Sequence, residues 1–215
     1  MGLVLILTNS CKKEEEETGG LTDKDGNVYT SVTIGTQEWM VENLKTTKYN
    51  DGSSIPLVTG NAEWEALTTP GYCWYDNDIT NKTPYGALYN WYAVNTGKLC
   101  PTGWHVPTDA EWTTLTTYLG GESVAGGKLK EAGTTHWASP NTGAMDEYDF
   151  MALPGCGRYG GSGYFSDVGY YGYWWSSTGY DATLAWFRLI SCDYEAVGYG
   201  SYYKRYGLSV RCVKD

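Results

Sequence analysis

The sequence predicts a single α+β domain in which short strands are joined by many tight turns. Aromatic residues make up 15% of the 215 residues, and this apolar surface is enough to offset the entropy cost of folding. Glycine occurs 28 times without a collagen period, which favours short strands and turns over a helical bundle. Composition does not change after residue 21, and no internal repeat is visible, so residues 21–215 are predicted to form one domain.

Net charge and hydropathy argue against a nucleic-acid partner and against a transmembrane helix. The formal net charge is −10, whereas a protein that binds the phosphate backbone needs a basic face. We therefore expect no nucleic-acid partner. No run of 18 apolar residues occurs, so no transmembrane helix is predicted.

The N-terminus resembles a bacterial lipoprotein signal. A short apolar run, Leu3–Leu7, is followed by Thr8-Asn9-Ser10-Cys11. In that pathway residues 1–10 are removed and Cys11 carries acyl chains, which anchor the protein to a membrane. The alternative is a buried N-terminal strand with an incidental cysteine.

Residues 11–20 are predicted to be the lipidated cysteine and an acidic tether. The run Lys12-Lys13 followed by four glutamates resembles the signal that sends some lipoproteins to the outer face of the cell, or is only a solvated linker. The expected location is therefore the outer membrane, with exposure at the cell surface.

Local patterns predict the elements of the domain in order. The first half is predicted to contain strands at Val28–Ile34, Gln37–Val41 and Cys73–Tyr75, then a helix at Ala87–Val94. In the first strand, Val28, Val32 and Ile34 are expected to share one face.

The clearest helix is predicted at Thr108–Leu119. Thr108 and Glu111 have the spacing of a capping box, and Gly120-Gly121 ends the pattern. The second half is predicted to contain further short strands, which are Phe150–Leu153, Tyr173–Ser177, Thr183–Ile190 and Leu208–Val213.

Several sequence blocks resemble the Fibrobacter succinogenes major paralogous domain, which is common in bacterial surface lipoproteins. They are DGNVY (25–29), IGTQEWMVENL (34–44), YGALYNW (85–91), CPTGWHVPTDAEW (100–112), WSST (175–178) and SVRCVKD (209–215). The resemblance covers residues 21–215. It implies a C-type-lectin-like fold, related to the domain of formylglycine-generating enzymes. Such a fold has two helices, small irregular antiparallel sheets and long loops, here rich in glycine and tyrosine.

The resemblance also implies a disulfide between Cys100 and Cys212. In the lectin-like fold a bridge joins the region of a helix to the last strand, and the exported compartment is oxidising. A pairing of Cys156 with Cys192 is a weaker hypothesis. It leaves Cys73 as a buried thiol.

Catalysis is not predicted. Formylglycine-generating relatives hold copper with two neighbouring cysteines, whereas the closest pair here after the tether, Cys192 and Cys212, is twenty residues apart. His105 is interpreted as a structural imidazole, and no nucleophile elbow or phosphate loop is present. An acidic cluster at Asp146, Glu147 and Asp149 is weak as a glycosidase pair. We expect no enzyme activity, no cofactor and no metal site.

The tyrosines point instead to ligand binding. Twelve of the 20 tyrosines fall between residues 148 and 206, many beside glycine or serine. Tyrosine gives a rigid amphipathic contact surface, which suits glycans or proteins. Trp174, Trp175 and Trp186 are assigned to the core. The segments around 159–164, 170–173 and 199–206 are expected to be loops that converge at one end of the domain. The candidate ligand-binding residues are Tyr159, Tyr164, Tyr170, Tyr171, Tyr173, Tyr180, Tyr199, Tyr202, Tyr203, Lys204, Arg205 and Tyr206.

Two alternatives remain open at this point. The domain could be a structural or adhesive component of a surface appendage. It could also be a retroelement-diversified binding protein, because the Trp175–Thr178 block and Gly207–Arg211 resemble the segments that bracket the variable stretch of such lectin-like proteins.

Overall fold

The computed structural model describes residues 21–166 and 168–215. The predicted lipidation site Cys11 and the rest of the predicted signal and tether lie outside these residues. The helices are α1 (Asn61–Glu65), α2 (Lys82–Tyr85), α3 (Trp91–Val94), α4 (Asp109–Tyr118) and α5 (Glu122–Leu129). The strands are β1 (Ser31–Ile34), β2 (Gln37–Met40), β3 (Tyr72–Trp74), β4 (Ala87–Tyr89), β5 (Trp104–His105), β6 (Gly157–Arg158), β7 (Tyr171–Gly179), β8 (Leu184–Ser191), β9 (Val197–Tyr203), β10 (Gly207–Leu208) and β11 (Val213–Lys214).

Three small sheets organise these strands. Their strand orders are β1-β2-β11-β5, β3-β4-β10-β6 and β7-β8-β9, and every neighbouring pair is antiparallel. The last two strands of the chain, β10 and β11, each occupy an inner position of a different sheet. Short antiparallel sheets together with separate helices make this an α+β fold, as the sequence predicts.

Helix α4 begins as its local sequence predicts. Thr108 Oγ1 accepts a hydrogen bond from the Glu111 amide at 3.2 Å, and Glu111 Oε2 accepts one from the Thr108 amide at 2.7 Å. This reciprocal capping box satisfies two amide donors that the first turn otherwise leaves unpaired. Trp112 and Leu115 face the core from this helix and are buried.

The β7-β8-β9 sheet separates two parts of the hydrophobic core. Side chains alternate along each strand, so neighbouring residues point to opposite faces. Trp175 and Phe187 pack into one part of the core, whereas Trp174 and Ile190 pack into the other, together with α4 and α5. The core assignment of Trp174 and Trp175 is confirmed, while Trp186 is only half-buried.

Two of the predicted elements near the N-terminus differ from the structure. The first strand begins only at Ser31, so Val28, expected to share a strand face with Val32 and Ile34, lies before it and is 61% exposed. The helix predicted from Ala87 is instead a strand followed by one helical turn, because Asn90 divides them. The Asn90 side chain accepts hydrogen bonds from the amides of Ala93 and Gly71, so it caps α3 and ends β4.

The tyrosine-rich segment 199–206 is not a loop over most of its length. Residues Tyr199 to Tyr203 lie in β9, which pairs with β8 in continuous register from Ile190–Val197 to Leu184–Tyr203. The predicted strand Leu208–Val213 is divided into β10 and β11, and Phe150–Leu153 contributes only one bridge, at Ala152. Helix α5 is an additional element.

The disulfide predicted between Cys100 and Cys212 is confirmed, with 6.1 Å between the two Cα atoms. The pairing of Cys156 with Cys192 is wrong. The Cys156 amide donates to Tyr171 O and the Cys192 amide donates to Tyr170 O, with β8 and the 156 segment on opposite edges of β7. Two strand spacings amount to roughly 9–10 Å, beyond the ~7 Å that a disulfide can bridge between Cα atoms.

The remaining thiol prediction is confirmed, since Cys73 is buried in β3 and forms no disulfide. Within residues 21–166 and 168–215, none of the helices has the length and apolar character needed to cross a membrane.

Candidate functional site

A cleft of about 400 Å³ opens where β7 begins beside the segment that follows β6. Among the residues that the structure describes, six line this cleft. Five of them are aromatic (Tyr159, Phe165, Tyr170, Tyr171 and Tyr173), and the sixth is Ser166. We call this the tyrosine cleft. The side chains of Tyr159, Tyr170 and Tyr171 are each 38–48% exposed, so their rings line the opening and are accessible to a ligand.

Arg158 fixes one wall of the tyrosine cleft. Its fully buried guanidinium donates to the backbone oxygens of Val58, Thr59 and Gly163 at 2.7 Å, and to Asn61 Oδ1 at 3.0 Å. These bonds satisfy a buried charge that would otherwise be very costly. They also tie the 159–164 turn to the segment before α1.

Gly163 lets this turn pack closely. Its φ is +69°, and a Cβ atom there would lie 2.6 Å from backbone atoms of Asn61. Only glycine combines that backbone conformation with so close an approach. The turn is closed by a 2.7 Å hydrogen bond from the Tyr159 amide to Tyr164 O.

Behind the cleft, rings form a continuous stack. Tyr202 stacks on buried Phe187 with ring centroids 4.1 Å apart, and Tyr206 stacks on Tyr202 at 4.6 Å. Tyr159 meets Tyr206 edge to face at 5.8 Å, while Tyr173 contacts Tyr202 at 6.1 Å. Tyr202 and Tyr206, both predicted to bind a ligand, are therefore half-buried supports of the ring stack.

The environment of these phenols is poorly solvated. Burial raises the pKa of Tyr173, and the neighbouring phenols of Tyr202 and Tyr159 raise it further. Burial also raises the pKa of Tyr202 and of Tyr206. The rings are therefore neutral at physiological pH.

Four other predicted residues, Tyr164, Tyr203, Lys204 and Arg205, do not line the cleft. Tyr164 is 66% exposed at the tip of the turn, and Tyr203 is 49% exposed with the Arg205 guanidinium 5.0 Å from its ring centroid. Lys204 has a local structural role, because its ammonium donates to Asp181 O and Ala182 O in the β7–β8 turn. It also lies over the Trp91 ring at 4.6 Å.

Tyr180 and Tyr199 form a separate aromatic patch. Their rings flank Trp186, with centroids 4.9 Å and 6.1 Å from it. Tyr199 is paired with Arg188 of β8, whereas Tyr202 is paired with Ala185. Because side chains alternate along β9, Tyr199 and Tyr202 lie on opposite faces of the sheet. The twelve predicted binding residues thus do not form one continuous surface.

The two histidines are held by carboxylates. His105 lies 2.7 Å from Asp215 Oδ1 and 2.8 Å from Glu111 Oε1. Burial by itself would lower the pKa of His105, but the hydrogen bonds to these carboxylates outweigh burial and raise it. His136 lies 2.8 Å from Glu131 Oε1. The structural interpretation of His105 agrees with these contacts.

The acidic cluster shapes a loop. Asp146 Oδ1 accepts a 2.8 Å hydrogen bond from the Met151 amide, and burial raises the pKa of Asp146. Among the residues that the structure describes, no group of three or more histidine, cysteine, aspartate or glutamate side chains could hold a metal ion.

Three contributors to the site carry no recognisable sequence signal. Phe165 and Ser166 line the cleft, and Arg158 anchors its wall through contacts with residues about a hundred positions earlier in the chain. A lone arginine beside a tyrosine cannot be distinguished from a surface residue by local pattern.

The fold and the cleft can be compared with known proteins. No curated protein and no solved structure gives a significant match to the chain. The family model described as the Fibrobacter succinogenes major domain matches residues 32–214. Since this match covers most of the chain, the protein belongs to the Fibrobacter succinogenes major domain family.

Proposed function

We propose that this protein is a non-catalytic binding protein of the cell surface, and that the tyrosine cleft contacts its ligand. The observation that carries the proposal is the cleft itself, in which partly exposed aromatic rings surround a concave space on a fixed support. Concave sites with aromatic linings are typical of small-ligand and recognition sites. The ligand classes favoured by the sequence are a glycan or a protein, and no cofactor is required.

A glycan and protein array probed with the full chain tests this proposal. Tyr171→Ala removes a ring that is 38% exposed at the mouth of the cleft, and we expect it to abolish array binding while leaving the fold intact. The matched control is Tyr194→Ala, since Tyr194 is 67% exposed and does not line the cleft. Equal binding by both variants and the wild type would refute the assignment of the site.

The proposed location rests on the N-terminal sequence. We infer that Cys11 is lipidated and anchors the protein in the outer membrane with the domain exposed at the cell surface. Cys11→Ala is expected to move the protein from the membrane fraction to the soluble fraction, because roughly 0.8 kcal/mol of membrane affinity per buried CH₂ is lost with the acyl chains. Continued membrane association of this variant would contradict the anchor.

We also infer that the α+β fold is C-type-lectin-like. The disulfide supports this inference, because it joins the segment before α4 to the segment before the last strand. An experimental structure superposed on lectin-like domains would test it.

A second candidate function is a structural subunit of a surface assembly, and the edge of β9 favours it. In the described sheet, β9 pairs with β8 on one side only, and its sequence VGYGSYY contains no charge and no proline. Such an edge can accept a strand from another chain. Sedimentation of the full chain over a hundredfold range of concentration would detect this assembly, whereas a monomer throughout would exclude self-assembly through the edge.

A further inference from the structure

We propose that the tyrosine cleft selects ligands that carry a quaternary ammonium group. This inference rests on the proposed function, because it names the chemistry that the same cleft would recognise. It follows from the side chains that line the cleft and from the hydrogen bonds that their polar groups already make within the protein.

The described lining consists mainly of aromatic rings. Among residues 21–166 and 168–215, the six that line the cleft include no acidic or basic side chain. Of these six, Ser166 is the one that is not aromatic, and its hydroxyl donates to Gly157 O and accepts from the Gly157 amide, both at 3.1 Å. The phenol oxygens are therefore the polar side-chain atoms of the described lining that have the fewest partners within the protein.

The nearby guanidinium does not change this balance. The Arg158 guanidinium lies 5.0 Å from the Phe165 ring centroid, and its charge is distributed over hydrogen bonds to four oxygen atoms. The side chain is fully buried and does not appear among the residues that line the cleft.

A quaternary ammonium is the ligand group that gains most from such a lining. Aromatic faces attract cations, and a quaternary ammonium has no N–H bonds to satisfy when water is removed. A primary ammonium would lose strong hydrogen bonds to water, and neutral phenol oxygens are weak replacements for them. The net charge of −10 further favours a cation over an anion in the approach to the protein.

The walls are held in place before a ligand arrives. Tyr171 and Tyr173 pack against each other with centroids 5.8 Å apart, and Tyr159 is held by Tyr206 at the same distance. Fixed rings lose little conformational entropy when a ligand binds.

The test compares choline with 3,3-dimethylbutan-1-ol, its neutral isostere of nearly the same shape. Binding of each to the full chain is followed by NMR, from the ligand methyl signal and the protein shifts. We expect choline to bind at least about tenfold more tightly, the difference given by roughly 1.4 kcal/mol of cation–π attraction. Equal affinities would mean that the cleft recognises only apolar shape, and would overturn the proposal.

Two variants of Tyr171 distinguish the contribution of its aromatic ring to binding from that of its hydroxyl. Tyr171→Leu is expected to weaken choline binding at least about fivefold, whereas Tyr171→Phe, which keeps the ring, should retain most of it. Tyr194→Leu serves as the control outside the cleft, and circular dichroism checks that each variant is folded. Loss of binding in Tyr171→Phe equal to that in Tyr171→Leu would assign recognition to the hydroxyl and contradict the proposal.

Two further comparisons identify the source of the quaternary ammonium group and distinguish failure of this inference from failure of the proposed function. Phosphocholine that binds more tightly than choline would point to a headgroup, and the opposite order to a free cation; both results support the quaternary ammonium. If choline does not bind but an array ligand depends on Tyr171, this inference fails and the proposed function stands. If no ligand depends on Tyr171, both fail.

Discussion

Tyr202 and Tyr203 are neighbours in β9, yet the structure assigns them different roles. Tyr202 is half-buried between Phe187 and Tyr206, whereas Tyr203 is 49% exposed. Each stacked aromatic pair contributes about 0.5–1.5 kcal/mol beyond burial, and truncation of a fully buried aromatic costs about 3–5 kcal/mol. Because Tyr202 is only half-buried, we expect Tyr202→Ala to lower the free energy of unfolding by roughly 2–4 kcal/mol.

Tyr203→Ala is the matched control and should cost less than about 1 kcal/mol. For a chain of this length, 1 kcal/mol corresponds to about 2–4 °C in Tm, so Tyr202→Ala should lower Tm by roughly 4–16 °C. Denaturant unfolding and thermal melts of both variants, with Tyr202→Phe as the variant that keeps the ring, measure the difference. Equal stability of the two alanine variants would show that the ring stack does not support the cleft.

Three further predictions test contacts that stabilise the domain. Arg158→Met should destabilise the fold by about 3–5 kcal/mol in denaturant unfolding, because buried carbonyl oxygens lose their donor; a cost under about 1 kcal/mol would contradict the anchoring role. The raised pKa of His105 stabilises the fold fully below the unfolded-state pKa of about 6.5, and this contribution is lost as pH rises through the higher folded-state value. Unfolding measured from pH 5 to 9 should show that loss in the wild type and not in His105→Gln, and identical profiles would refute it. Replacing Cys100 and Cys212 together by serine opens a loop whose ends are 112 residues apart, which should cost roughly 4–5 kcal/mol in the chain-entropy model; an unchanged denaturation midpoint would exclude this contribution.

Local signals were sufficient for some elements and insufficient for others. The capping box of α4 involves residues three positions apart, so it can be read directly from the sequence. Strand β9 could not be predicted in this way, because alternating glycine, serine and tyrosine suggest a loop. Its pairing with β8 determines its conformation. Asn90 shows the same limitation, since its partners include the distant amide of Gly71.

The candidate site was predictable only in part. The abundance of tyrosine beside glycine identified Tyr159, Tyr170, Tyr171 and Tyr173, which the cleft brings together. Which side of a sheet each ring occupies depends on strand register, so sequence alone could not separate the Tyr199 patch from the cleft. The disulfide between the segments before α4 and β11 was implied by family resemblance.

The inner positions of β10 and β11 determine when the domain can fold during synthesis. Strand β10 lies between β4 and β6, and β11 lies between β2 and β5, so the partners of both strands precede them in the chain. Neither four-stranded sheet can close until β10 and β11 have been synthesised, because one inner strand of each sheet is still missing. Contacts between distant parts of the chain also form slowly. Both four-stranded sheets therefore form late in synthesis, whereas the β7-β8-β9 sheet requires neither β10 nor β11.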